Sequence, residues 1–252
     1  MDLSIKGKKV IITGSSKGIG FAIAKLYSIE GAKVLISSRS KNDLIEAKNE
    51  IEEVSNNEIF YQTCDLMEKN GTENFFLKAL DKLGGADILI NNAGIWPKSY
   101  VVDMEDEEFE KTLYLNLEVP YILSKMFVNY LIDNNKKGKI INVSSQAAFN
   151  GSTTGHAHYA ASKAGLITFM KSLAREVAQY GITINSVVPG IVNTDMMRDK
   201  YLANKSYYDK RIPIGRIAEK EDIANVVLFL GSKLSDYMTG SSIDVTGGMI
   251  MR

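Results

Sequence analysis

A phenol and an ammonium on one helix face can move a proton. Tyrosine and lysine four residues apart would share such a face. The spacing occurs three times, at Tyr121 and Lys125, Tyr159 and Lys163, and Tyr201 and Lys205. Adding hydride to a carbonyl leaves an alkoxide that must take up a proton. With a reference pKa of about 10, a free phenol is a poor acid for this at neutral pH. A neighbouring ammonium favours the phenolate and lowers that value. The spacing alone is a weak signal, because a ring packed beside a solvated lysine produces it equally well. Context separates Tyr159 from the other two: it follows Ser144-Ser145 and a loop, and it opens a helix read from Ala160 to Tyr180. A serine hydroxyl that grips the substrate oxygen would complete the electrostatics.

A second cluster speaks of phosphate. Thr13-Gly14-Ser15-Ser16-Lys17-Gly18-Ile19-Gly20 follows a strand pattern and leads into an amphipathic helix. Glycines allow a tight turn and close approach to a pyrophosphate, and the helix start offers free amides. The spacing is G-x-x-x-G-x-G rather than the commoner G-x-G-x-x-G, and alone it equally suits a plain turn. At the end of the second strand pattern stand Ser38 and Arg39, where NAD-selective folds carry an acid for the ribose hydroxyls. A small neutral residue followed by a guanidinium, with Lys17 on the same side, predicts NADP(H), with NAD(H) as the alternative. His156 and His158, the two histidines of the chain, are read as loop or pocket residues; no Cys or carboxylate cluster accompanies them, so no metal is expected.

These residues need a frame that brings them to one edge. Strand patterns run from Lys9 to Thr13, Lys33 to Ser37, Ile59 to Thr63, Ile88 to Asn91, Lys139 to Val143, Thr183 to Val188 and Ser242 to Val245. They are apolar throughout instead of alternating, as in strands covered on both faces. Between them lie helical spacings such as Ile19-Ala22-Ile23-Leu26 and Leu166-Phe169-Met170-Leu173. Repeated βα units predict an α/β fold, one doubly wound domain over residues 1–252 with a seven-stranded parallel sheet and helices on both faces. Ligands of such sheets bind at the carboxyl ends of the strands, where each motif falls.

The composition narrows the function classes. Thirty basic residues balance thirty acidic ones, so no overall field favours nucleic acid or an anionic membrane. The acidic run Glu105-Asp106-Glu107-Glu108 reads as an exposed first helical turn. A single cysteine, Cys64, excludes an internal disulfide. No apolar run has the length of a membrane span and the N-terminus lacks a signal-like apolar region, which points to the cytoplasm.

Taken together the motifs resemble the short-chain dehydrogenase/reductase family. The first turn is similar to its T-G-x-x-x-G-I-G, Asn91-Asn92-Ala93-Gly94 to its N-N-A-G, and Tyr159-Ala160-Ala161-Ser162-Lys163 to its Y-x-x-x-K. Pro189-Gly190 followed by Thr194 matches P-G-x-x-x-T, and Gly247-Gly248 also fits. The resemblance implies a Rossmann-type oxidoreductase with Asn116, Ser145, Tyr159 and Lys163 as the catalytic set, Ser144 being the alternative to Ser145. Asn116 would hold a water linked to Lys163, and Lys163 would also bond the nicotinamide ribose. The implied cofactor contacts are Gly14, Ser16, Lys17, Gly18, Ile19, Gly20, Ser38, Arg39, Asp65 beside the adenine, Leu66, Asn92, Ala93, Gly94, Tyr159, Lys163, Pro189, Gly190, Val192 and Thr194. A substrate lid is expected at about residues 190–215, including Met196-Met197, Tyr201, Tyr207 and Tyr208.

Within the family the sequence is most similar to bacterial 3-oxoacyl-carrier-protein reductases of fatty acid biosynthesis, on Lys171 to Val177, Thr194-Asp195-Met196 and Gly247-Gly248-Met249. That implies a carrier-bound acyl substrate and a homotetramer. Two features depart. A basic residue expected to dock the carrier falls at Tyr180, leaving Lys136 and Lys137 as basic candidates. The stretch from Ser145 to Tyr159 is one residue longer than expected, and Gly155-His156-Ala157-His158 leans toward a sugar, polyol or other small ketone. A cofactor-binding scaffold without turnover is the reading from another class; the complete catalytic set speaks for the enzyme.

Overall fold

The structure, a computed structural model, describes residues 2–152 and 154–252; the side chains of Met196, Asp199 and Lys200 lie outside the described residues. Seven parallel strands form one sheet: β1 (Lys9–Ile12), β2 (Lys33–Ser38), β3 (Ile59–Thr63), β4 (Ile88–Asn91), β5 (Gly138–Val143), β6 (Ile182–Pro189) and β7 (Ser242–Val245). Their order is β3-β2-β1-β4-β5-β6-β7. The chain winds outward from β1 to β3 and then returns to pair β4 with β1. That reversal opens a crevice at the carboxyl ends of β1 and β4, the place where such sheets bind ligands.

Strand alternation explains the two cores. Val10, Ile12, Val34, Ile36, Ile88 and Ile90 face one side, against α1 (Gly18–Ile29), α2 (Lys41–Ser55) and α10 (Lys220–Gly231). Ile11, Leu35, Leu89, Ile140 and Ile184 face the other, against α3 (Gly71–Leu83), α5 (Val119–Asp133) and α7 (Ala157–Val177). Successive strand side chains point to opposite faces, so a strand buried on both sides must be apolar throughout. The strand patterns of the sequence agree with these bounds to within a residue or two.

Two differences from the sequence reading bear on the site. Helix α7 begins at Ala157, not Ala160: Gly155 turns the chain at φ +69 and His158 is buried in the first turn. Helix α5 is preceded by a π-helical turn over Tyr114–Glu118, a local widening that interior propensity does not signal. The acidic run is the first turn of α4 (Asp106–Leu113), as expected, and these carboxylates complement the amino-terminal dipole.

The segment after β6 leaves the sheet and comes back. Ala218 accepts from Asn193 N–H at 2.8 Å and donates to Ile191 at 2.9 Å, pinning both feet of the excursion. Between the feet lie α8 (Asp195–Ala203) and α9 (Lys205–Asp209), with the rings of Tyr201, Tyr207 and Tyr208 packed on one another.

Candidate active site

The carboxyl ends of β4 and β5 and the first turn of α7 meet in one place. Tyr159 lies in that first turn and Lys163 one turn later, so both point from the same helix face toward the crevice. The Lys163 ammonium is buried, donates to the Val143 carbonyl at 2.9 Å, and lies 5.9 Å from the centre of the Tyr159 ring. The Ser145 hydroxyl lies beside the Tyr159 phenol and favours its phenolate form. Ser144, the alternative, is buried and donates to the Lys163 carbonyl at 3.2 Å, which ties β5 to α7. The other two Tyr–Lys pairs lie elsewhere. Tyr121 is on α5, under Lys125 and against Phe169, and Tyr201 bonds Asp209 at 3.0 Å.

One expected effect is reversed here. Lys163 was to pull the Tyr159 pKa down. Burial instead pushes the phenol above its ordinary value, and the lowering influence on it comes from Ser145. Burial also brings Lys163 down to about 8. Removing either group from water disfavours its charged form, and Lys163 spends a donor on a backbone carbonyl.

Asn116 is buried, not on a helix surface. Its Oδ1 accepts from Ile95 N–H at 2.9 Å; its Nδ2 donates to Ile95 O at 3.0 Å and to Ser162 Oγ at 3.1 Å. The π turn thus clamps the loop after β4 to α7. A β-carbon at Gly94 would lie 3.0 Å from Asn116 Oδ1 and 3.5 Å from Lys163 Nζ, so Gly94 leaves a cradle between them.

The glycine turn is built against this loop. Thr13 Oγ1 accepts from Asn92 N–H and Ala93 N–H, both at 3.0 Å, and Asn92 Nδ2 returns to the carbonyls of Thr13 and Gly14. Gly14 has φ +61, and a β-carbon there would come within 2.9 Å of Ala93 Cα. Helix α1 starts with no side-chain cap and no acid in its first turn, leaving its amides and positive dipole end for an anion. Thr194 lies beside Gly18, closing the turn from the far side.

Beyond the turn a pocket is lined by Ser16, Ser38, Arg39, Ser40 and Asp43. Arg39 is exposed and has no hydrogen bond or ion pair among the described residues. Lys17 differs from expectation: its ammonium pairs with Asp43 at 2.9 Å, so it is not a free second cation. Asp65 caps its own turn by accepting from Met67 N–H, and the Leu66 side chain turns into the core beneath α3 instead of the crevice. Pro189 ends β6, where its carbonyl accepts from Gln146 N–H; Gly190 packs against Thr246, and the buried Val192 belongs to the bridge that pins the excursion. The side chain of Met196 lies outside the described residues. His156 and His158 separate. His158 is wholly buried with Nε2 at 3.3 Å from Glu108 Oε1, whereas His156 stacks on Trp96.

Residues 8–205 match the family described as short chain dehydrogenase. The chain belongs to that family. Its members are oxidoreductases that use a nicotinamide dinucleotide. The chain is 39% identical to a 3-oxoacyl-[acyl-carrier-protein] reductase of Rickettsia felis over 99% of both proteins. Among solved structures it is similar to a short-chain type dehydrogenase/reductase from Mycobacterium marinum, with a TM-score of 0.91, 31% identity, and coverage of 98% of this chain and 97% of that one. It is also similar to a protein from Agrobacterium tumefaciens described as a 2-deoxy-D-gluconate 3-dehydrogenase with bound NADP, at TM-score 0.89, 30% identity and 98% of both chains. Membership accounts for the shared layout of glycine turn, N-N-A-G loop and Tyr–Lys pair. Sequence reasoning missed Thr13, Asp43 and Trp96. Trp96 had a signal of its own: it is the single tryptophan of the chain and stands two residues after Gly94.

Proposed function

We propose that this short-chain dehydrogenase reduces the 3-oxo group of an acyl thioester to a hydroxyl with NADPH, and that Tyr159 is the proton donor. The end-to-end similarity to 3-oxoacyl-[acyl-carrier-protein] reductases carries the substrate. Lys136 and Lys137 precede β5 and so sit at the rim opposite Tyr159; within one chain they do not border the crevice.

The residues present suit the cofactor. The uncapped start of α1 and the glycine turn would take the pyrophosphate, Ser38 and Arg39 the adenosine 2′-phosphate, Lys163 the nicotinamide ribose, and the Gly94 cradle the adjoining ring. When bound, the dinucleotide supplies hydride to the carbonyl carbon. Ser145 and Tyr159 would hold the carbonyl oxygen by two hydrogen bonds that strengthen as negative charge develops there. The Tyr159 O–H then passes its proton to that oxygen, and the phenolate left behind is held by Ser145. Asn116 keeps the β4 loop and α7 at fixed separation while this happens. Residues 190–215 would fold over the substrate, hinged at Val192 and Ala218.

The test is steady-state reduction of a 3-oxoacyl thioester, compared with a panel of keto sugar acids and polyols, using NADPH and NADH. Thioester turnover preferring NADPH is expected, with a loss of roughly 10²–10⁴-fold in Tyr159→Phe and a reduced NADPH preference in Arg39→Ala. Turnover confined to the sugar acids would overturn the substrate assignment. A wild-type preference for NADH would overturn the cofactor assignment. A folded protein inert to every carbonyl would instead support the scaffold reading.

A further inference from the structure

Two loops flank Tyr159, one after β4 and one before α7, and among the described residues these contacts join them. Ser99 N–H donates to Gly155 O at 2.8 Å. His156 Nδ1 lies 2.5 Å from the Pro97 carbonyl. The rings of Trp96 and His156 stack at 4.2 Å between centroids with planes 18° apart. The same indole meets the Tyr159 ring edge-on at 6.5 Å. A half-buried tryptophan therefore stands beside the Tyr159 phenol, backed by a buried histidine that is itself held by the backbone.

An isolated indole at a pocket mouth can swing aside on its two side-chain torsions. This one cannot turn away without unstacking His156, and His156 cannot follow without leaving Pro97. Three ties in the space of a few residues make the wall stiff. A stiff aromatic wall excludes volume on its own side and offers a flat apolar face to a small ligand. Hydrophobic pockets discriminate single methylenes by roughly 10–200-fold, so a fixed indole is large enough to set substrate size.

We infer that Trp96, braced by His156, is the size-determining wall of the substrate mouth and restricts it to compact, short-chain 3-oxo substrates. The inference rests on Tyr159 as the proton donor. Trp96 would contact substrate directly, whereas His156 is a positioning residue acting through it.

The experiment measures kcat/KM for four-carbon and twelve-carbon 3-oxoacyl thioesters, and in parallel for the matching simple 3-oxo esters. Wild type should favour the four-carbon member of each series by at least about tenfold. Trp96→Ala should lose that preference, chiefly through a lower KM for the long chain, and His156→Ala should lose part of it. Because Trp96 is the sole tryptophan, the emission of the wild-type holoenzyme should change on adding the short substrate, and this change should be weaker in His156→Ala. Trp96→Phe, which keeps an aromatic ring, should retain an intermediate preference and guards against a misfolded alanine variant. A wild-type preference for the long chain, or a short-to-long ratio unchanged in both Trp96→Phe and His156→Ala, would overturn the wall. If esters turn over and thioesters do not, the thioester assignment fails while the ester series still decides the inference.

Discussion

Lys163 is buried and Tyr159 half-buried, and that sets how the site should respond to pH. Burial favours the neutral phenol, so Tyr159 keeps its proton throughout the neutral range and beyond the ordinary tyrosine value. A donor for reduction is therefore available at pH 7. Burial also favours the neutral amine, so Lys163 loses its charge as pH rises through about 8 instead of above 10. The sign follows: carbonyl reduction by this chain should be level from about pH 6 to 7.5 and decline above about 8, when the ammonium proposed to hold the nicotinamide ribose beside Tyr159 has lost its charge. Alcohol oxidation needs the phenolate as base and should rise with pH across the same range. Profiles of kcat/KM in both directions check this. A reduction rate still climbing at pH 9 would show that Lys163 does not act through its charge. Lys163→Arg, whose guanidinium stays protonated, should remove the limb near 8 from whatever activity survives.

At the scale of elements, the π turn before α5 is the piece that makes the site rigid. It turns Asn116 inward, where three hydrogen bonds serve the backbone of Ile95 and the hydroxyl of Ser162. Each buried polar group left without a partner costs about 1–3 kcal/mol. Asn116→Ala orphans the N–H and the C=O of Ile95 together, so it should lower stability by about 2–4 kcal/mol in chemical denaturation. It should also reduce kcat, since Gly94 and Lys163 would no longer be held against one another. A stability loss under about 0.5 kcal/mol would show that water replaces Asn116 without penalty. The same logic applies where β2 meets α2. Ser40 caps α2 by accepting from Asp43 N–H, and this sets Asp43 where it pairs with Lys17. Among the described residues Arg39 is thereby the unpaired cation of that pocket, so the proposed NADPH preference would rest on one guanidinium instead of two positive charges.

The whole molecule leaves apolar surface at places the crevice does not use. Tyr121 on α5 packs edge-on against Phe169 on α7 while 41% exposed, and at the other end of the chain Tyr237 and Met251 are open to solvent. Large exposed apolar side chains on adjoining helices mark contact surfaces. The protein should be an oligomer, with a tetramer as the expected state. Light scattering at micromolar concentration should report about four times 27.9 kDa; a 27.9 kDa species alone would contradict it. No helix among the described residues is long and apolar enough to cross a membrane.

The amino-acid sequence by itself determined the sheet, its parallel sense and the rim on which the chemistry falls. Apolar runs and glycine turns are written in neighbouring residues, and strands buried on both faces leave no other arrangement. It also placed Tyr159, Lys163, Gly14 and Gly94, because each belongs to a short motif. What it left open were matters of distance between residues far apart in the chain. Ser144 and Ser145 look alike in sequence, and only the packing of β5 on α7 gave one to the Lys163 carbonyl and the other to the Tyr159 phenol. Lys17 read as a free charge until the fold brought Asp43 to it from α2. Lys163 read as a group that lowers the tyrosine pKa until burial shifted both in the directions of their neutral forms. Trp96 and His156 are sixty residues apart, and nothing local to either announces a stack. Electrostatics and shape at a site depend on solvent exclusion and on partners supplied by other elements, so only the tertiary structure could decide them.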